Sequence, residues 1–173
     1  AKQGKQGKTE ERQNQDGGKN RLKDKIGKNA EGLKTKKLYL LDMDGTIYNE
    51  NEIFDGTLEF LEEIRKRGAQ YIFITNNSSK SVKDYVKKVR DMGILADEEN
   101  FYTSSQATAA YIKENYPGQI VYCMGTQSLV EELRAEGIEV VTEADESAGI
   151  VLIGFDTENT SEKIRNTCIM LGR

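Results

Sequence analysis

Two short apolar runs constrain this chain more than any other feature. Leu38-Tyr39-Leu40-Leu41 ends abruptly on Asp42, and Tyr71-Ile72-Phe73-Ile74 ends on Thr75. Uninterrupted apolar runs of this length are the pattern of strands buried on both faces, as in parallel sheets flanked by helices. The stretch between them has helical periodicity from about Thr57 to Arg67, with Leu58, Leu61 and Ile64 on one face and Gly68 as its stop. Asp55 is expected as that helix's N-cap. A strand, a helix and a second strand therefore follow one another within eighty residues.

The alternation continues along the chain. Val82, Tyr85, Val86 and Val89 mark an amphipathic helix beginning near Ser81 and ending near Gly93. Then come a strand around Phe101, a helix over about Gln106–Asn115 and a Pro117-Gly118 break. Ile120–Met124, Leu129–Arg134, Ile138–Val141, Gly149–Ile153 and Glu162–Leu171 read as strand, helix, strand, strand and helix. Strands alternating with helices predict an α/β fold built on a Rossmann-like, mainly parallel sheet. Tyr48, Tyr71, Tyr85, Tyr102, Tyr111 and Tyr122 are expected as packing residues. Lys87, Lys88 and Arg90 are expected on a solvated helix face, and Cys123 and Cys168 as buried thiols.

Charge divides the chain. Residues 1 to 37 hold ten Lys and two Arg against five acids, a balance of +7, which leaves −11 for residues 38 to 173 out of a net −4. The first 37 residues are rich in Lys, Gln, Gly and Asn and are expected to form a disordered basic tail. Leu22, Ile26, Ala30 and Leu33 recur near helical spacing there, but Gly27 and Gly32 interrupt them. The acidic remainder is a poor nucleic-acid binder. No apolar run approaches the roughly 20 residues that span a bilayer, so no membrane association is expected and cytoplasm is the expected compartment. The opening at Ala1, without an initiator methionine, is compatible with a lost leader. The chain contains no His, which removes Ser-His and Cys-His nucleophile arrangements and His-ligated zinc.

Carboxylates, hydroxyls and amides must then carry any chemistry. In open α/β sheets ligands bind at the carboxyl ends of the strands, where Asp42-Met43-Asp44-Gly45-Thr46 and Thr75-Asn76-Asn77-Ser78 fall. A turn after Asp42 lets Asp42 and Asp44 face one site. One carboxylate can attack a phosphoryl group while the other, in its protonated form, donates to the leaving oxygen. Two anions repel a phosphate dianion, so a hard cation with oxygen ligands, Mg²⁺, is expected between them. Thr75 and the amides after it offer neutral donors, and the helix starting near Ser81 could add its dipole. Each cluster alone is also ordinary turn chemistry. Together, at the ends of successive strands, they form a candidate site.

Leu40-Leu41-Asp42-Met43-Asp44-Gly45-Thr46-Ile47 resembles the first motif of the haloacid dehalogenase superfamily, and Ile72-Phe73-Ile74-Thr75-Asn76-Asn77 its second. Residues 38 to 171 resemble subfamily IIA, the NagD-like and p-nitrophenylphosphatase-like phosphatases. The resemblance implies a Mg²⁺-dependent phosphomonoester hydrolase acting through an aspartyl-phosphate on a small phosphorylated metabolite. Asp42 would be nucleophile and metal ligand, and Asp44 general acid/base and metal ligand through its carbonyl. Thr75, Asn76 and Gly45 would hold the phosphoryl group. It further implies a core domain over residues 38–118 and, over 119–173, the beginning of an inserted α/β cap that includes Gly154-Phe155-Asp156. Only 33 positions separate Asp42 from Thr75, which leaves no room for a cap between the motifs. The family's third-motif Lys and fourth-motif acids are absent, and Lys80 is too close to the second motif to stand in. An incomplete site is therefore expected. A non-catalytic cation-binding or regulatory α/β module is the competing reading, and a homo-oligomer is compatible with either.

Overall fold

The computed structural model describes residues 31–172. The expectations for residues 1–30, including the disordered tail and the helical spacing of Leu22, Ile26 and Ala30, lie outside the described residues. Of the described residues, 31–36 belong to one unit and those from Lys37 to a second. In the first, Glu31–Thr35 makes a 3-10 turn with a Lys34–Glu31 ion pair of 3.0 Å.

The second unit runs β1 (Leu38–Asp42), β2 (Tyr48–Asn49), β3 (Glu52–Ile53), α1 (Thr57–Lys66), β4 (Gln70–Thr75), α2 (Val82–Asp91), β5 (Phe101–Thr103), α3 (Ser104–Asn115), β6 (Ile120–Met124), α4 (Gln127–Ala135), β7 (Val140–Val141), β8 (Ala148–Ile153) and α5 (Ser161–Leu171). Two parallel three-stranded sheets result, in the orders β1-β4-β5 and β7-β6-β8, with β2 and β3 as a separate antiparallel hairpin. The α/β, Rossmann-like reading of the sequence holds. Helices α2 to α5 start where a Ser or Thr oxygen accepts a first-turn N–H: Ser81, Thr103, Thr126 and Thr160.

Helix α1 starts differently from expectation. Its N-cap is Gly56 at φ +83°, with no side-chain cap. Asp55 is one position too early, because a left-handed backbone there is open to glycine and costly for other residues. Within α1, Leu61 and Ile64 are buried while Leu58 is exposed.

Helices α1 and α2 pack on one face of the first sheet, where Leu61, Ile64, Val82, Tyr85 and Val89 enclose Tyr71, Phe73 and Phe101. Among the described residues, the other face is uncovered. Leu38 is 49% exposed and Leu40 59%, with Ile74 and Tyr102 exposed beside them. The expectation that β1 is central and buried on both faces is therefore corrected. Among the described residues β1 has one neighbour, β4, and no helix covers its Leu38–Leu40 side. A second core forms from Ala109, Ile112, Val121, Leu129, Val130 and Leu133 around β6 and β7.

Other packing expectations are also corrected. Tyr102 and Tyr111 are exposed, Tyr102 on the bare face and Tyr111 edge-on to Tyr116 at 6.0 Å. Cys123 is buried, which pushes its thiol up to about 11, whereas Cys168 is exposed on the outer side of α5. The strand expected over Ile138–Val141 shortens to Val140–Val141. Ile138 instead donates to the Leu133 carbonyl as α4 closes.

Candidate active site

Asp42 closes β1 opposite Ile74 of β4, and Thr75 closes β4 opposite Thr103 of β5. The two residues thus end adjacent parallel strands, at the edge where open α/β sheets bind ligands. After Asp42 the chain turns at once. The Met43 carbonyl accepts from Thr46 N–H at 3.1 Å and Ile47 N–H at 2.9 Å, and Gly45 N–H donates to Tyr48 O at 2.8 Å. Gly45 carries φ +81°, a conformation that glycine enters without penalty. Met43 is fully buried and anchors the turn, which leaves Asp42, Asp44, Gly45 and Thr46 exposed at the strand end. Thr46 Oγ1 donates to Asp42 Oδ2 at 3.4 Å, a long bond that engages one carboxylate oxygen.

The loop after β4 is tied more tightly. Thr75 is 4% exposed and its Oγ1 accepts the Asn77 N–H at 3.1 Å. Asn77 Oδ1 accepts from Ser79 N–H and Oγ, and the Asn77 carbonyl accepts from Tyr85 OH at 3.1 Å. Asn76 is exposed, and its carbonyl accepts from Ser104 Oγ at 3.2 Å. Asp42, Gly45 and Asn76 are therefore open at the strand ends, while Thr75 is turned to the helix-covered face.

The free helix dipole expected at Ser81 is already engaged. Val82 N–H donates to Glu132 Oε2 at 2.8 Å, and Ser81 and Asp84 satisfy each other in a capping box. Two of the chain's own carboxylates, not an open anion site, complement this N-terminus.

Lys88 is where reading the sequence fell short. Its side chain is 17% exposed, its Nζ stands 3.9 Å over the Tyr48 ring and 4.0 Å from Asp44 Oδ1. It is not on a solvated face. Burial, then the nearby Lys80 charge, holds its ammonium below the usual lysine range, with Asp44 opposing. The signal was available: Lys88 lies three positions after Tyr85 and so flanks the buried stripe of α2. Tyr48 is fully buried, its hydroxyl has no partner among the described residues, and burial followed by Asp44 raises its pKa.

Asp42 and Asp44 offer carboxylate oxygens of the kind a hard cation takes, and so fit Mg²⁺. They are only part of a coordination shell, since no group of three or more His, Cys, Asp or Glu residues able to hold a metal occurs among the described residues. Waters and phosphate oxygens commonly complete such a shell.

Comparison with known proteins agrees with this architecture. A family model described as haloacid dehalogenase-like hydrolase matches residues 39–139. The chain is 37% identical over 132 residues to the acid sugar phosphatase of Staphylococcus saprophyticus, covering 76% of this chain and 50% of that protein. It is 35% identical over 139 residues to the 5'-nucleotidase YutF of Bacillus subtilis, covering 80% and 53%. The crystal structure of 4-nitrophenylphosphatase from Thermotoga maritima matches with a TM-score of 0.73 at 34% identity, covering 80% of this chain and 52% of that one. The chain thus spans about half the length of the curated relatives it matches. A family model that runs through both strand-end clusters, on the same fold, shows that the chain belongs to the haloacid dehalogenase-like hydrolases, in their NagD- and p-nitrophenylphosphatase-like branch.

Proposed function

We propose that this chain carries the nucleophile-bearing half of a Mg²⁺-dependent phosphomonoester hydrolase that acts on a small phosphorylated metabolite. The observation that carries the reading is the pairing of an exposed Asp42, one oxygen engaged by Thr46, with the Thr75-Asn76 loop on the next parallel strand. In the proposed reaction Asp42 Oδ1 attacks phosphorus and the ester oxygen departs with a proton from Asp44. Water then attacks the aspartyl-phosphate, giving its proton back to Asp44 and releasing inorganic phosphate. Asn76 and the Gly45 backbone orient the phosphoryl oxygens, and Thr75 keeps the Asn76-Asn77 segment in place through its bond to Asn77 N–H. A Mg²⁺ ion held by Asp42 and the Asp44 carbonyl would supply the positive charge that lets a carboxylate and a phosphate dianion approach. The second sheet and α5, residues 119–172, serve in this reading as the opening of a cap over the site.

The names of the relatives, a sugar phosphatase, a nucleotidase and a nitrophenylphosphatase, share one chemistry, the phosphomonoester bond. The competing reading, a cation-binding module without turnover, draws on the absence of a third acidic ligand near Asp42 among the described residues.

The test is p-nitrophenyl phosphate hydrolysis with and without Mg²⁺, in this chain and in the longest reading frame that contains it. Turnover is expected to need Mg²⁺. Asp42→Asn should abolish it, and Asp44→Asn should lower it roughly 10²- to 10⁴-fold, as for loss of an acid/base group. An Asp42→Asn protein with undiminished turnover overturns the mechanism.

A further inference from the structure

One turn of α2 holds both strand-end clusters of the candidate site. Tyr85 is buried and its hydroxyl donates to the Asn77 carbonyl at 3.1 Å, in the loop after β4. Lys88, three positions on and so on the same side of the helix, reaches the turn after β1 instead. Its Nζ stands 3.9 Å over the Tyr48 ring and 4.0 Å from Asp44 Oδ1.

Three features set this contact apart from a surface ion pair. Lys88 adjoins the buried Val89 and its side chain is 17% exposed, so its stem is packed before the ammonium meets any charge. Tyr48 is fully buried, and its ring offers the ammonium the electron-rich face that attracts a cation. Tyr48 is also joined to the Asp42–Thr46 turn through its backbone, since its carbonyl accepts Gly45 N–H at 2.8 Å and it bridges to Asp44. Ring, turn and ammonium thus form one unit. Asp44, by contrast, has a side chain that is 56% exposed, and a carboxylate so placed samples several rotamers unless something holds it.

From this arrangement we infer that Lys88 is a positioning residue for the proposed hydrolysis: it holds the Asp44 carboxyl group in one rotamer and faces Oδ1, so that Oδ2 carries the proton. The inference rests on the phosphatase reading and adds a residue to it. In the first step the ester P–O bond breaks as an Asp42 oxygen bonds to phosphorus, and the proton on Asp44 Oδ2 passes to the departing oxygen. In the second, water adds to phosphorus, the Asp42–phosphorus linkage breaks, and Oδ2 takes the water's proton back. The separation of 4.0 Å suits this role. It is too long for a hydrogen bond, so Lys88 orients the carboxyl group through charge without donating to it. The Tyr48 ring and the packed stem fix the ammonium in advance. Proton transfer depends on such placement, because an error of about 1 Å can cost roughly 10²-fold in rate.

The test compares phenyl phosphate with p-nitrophenyl phosphate, with Mg²⁺, in the longest reading frame that contains this chain. Nitrophenolate departs readily without a proton, whereas the more basic phenolate needs one. Lys88→Met keeps the packed stem and removes the charge, and Lys88→Gln does the same with a polar end. Each is expected to lower kcat/KM for phenyl phosphate at least about tenfold and for p-nitrophenyl phosphate less than about threefold, with inhibition by inorganic phosphate unchanged. Lys88→Arg, which can stack on Tyr48 and face Asp44, should restore most of the phenyl phosphate activity. Lys87→Met, which removes a charge from an exposed side chain, should alter neither ester. In an Asp44→Asn background Lys88→Met should have no further effect. No loss on phenyl phosphate, equal losses on both esters, or a loss that persists in the Asp44→Asn background overturns the positioning role and leaves the phosphatase reading standing. If the wild type hydrolyses neither ester, the phosphatase reading fails instead. NMR of this chain then decides the geometry separately: three-bond couplings should report one Asp44 rotamer in the wild type and an average over several in Lys88→Met, and identical couplings in the two overturn the inference.

Discussion

Replacing Glu132 with Ala removes a carboxylate that joins three elements. Glu132 lies on α4, yet it accepts Val82 N–H at the start of α2 and Thr103 Oγ1, at the end of β5, at 3.0 Å. Thr103 is 1% exposed, so its hydroxyl would lose its acceptor inside the protein. A hydrogen bond to a charged group contributes about 1.5–3 kcal/mol, and a buried partner left unpaired costs about 1–3 kcal/mol. Loss of a negative charge at a helix N-terminus adds about 0.3–1 kcal/mol. An adjacent cavity of about 180 Å³, lined by Ser81, Val82 and Glu132, can admit water to the freed groups. That pulls the total to the lower end, about 2–3 kcal/mol. For a unit of this size such a loss lowers Tm by roughly 4–12 °C. Glu132→Gln keeps an acceptor and should lose about half as much.

The pH dependence supplies an independent check on the same residue. Burial is the largest influence on Glu132 and raises its pKa, outweighing the two bonds it accepts, with Glu136 and Asp84 adding to the rise. An acid with a raised folded-state pKa binds more protons when folded, so its contribution is fully present below the ordinary carboxylate value of 4.5 and is lost as pH rises through the folded value. Glu132→Gln should therefore flatten the fall in stability above pH 4.5. Urea unfolding of both variants from pH 4 to 8 measures each effect. An Ala variant within about 0.5 kcal/mol of wild type at pH 7 would refute the reasoning.

Two further predictions concern residues that the sequence misplaced. A double-mutant cycle between Lys88→Met and Asp44→Asn should give a coupling of about 0.3–1 kcal/mol, the range for a pair of this exposure, whereas zero coupling would mean that the 4.0 Å approach does not persist in solution. Leu40→Lys on the bare face should change stability by less than about 0.5 kcal/mol and reduce binding of a hydrophobic dye. A loss above about 2 kcal/mol would mean that this side chain, 59% exposed here, is covered in solution.

The sequence by itself determined the order and kind of the elements, because hydrophobic period and helix caps are local. Leu38–Asp42 and Ile120–Met124 appear with the boundaries read from the sequence, and Ser81 starts its helix as expected. It also determined where the candidate chemistry falls, since Asp42 and Thr75 close apolar strands whatever surrounds them. Only the tertiary structure decided what depends on neighbours distant in the chain. An apolar run cannot reveal whether a second layer will cover it, so Leu40 was expected inside and is found on a bare face. A lysine on an amphipathic helix looks solvated until Tyr48 and Asp44, about forty residues earlier, are folded against it. The helix dipole after Ser81 looked open until Glu132, fifty residues on, was brought to Val82. Periodicity reports which face of an element is apolar, and long-range packing decides what that face meets.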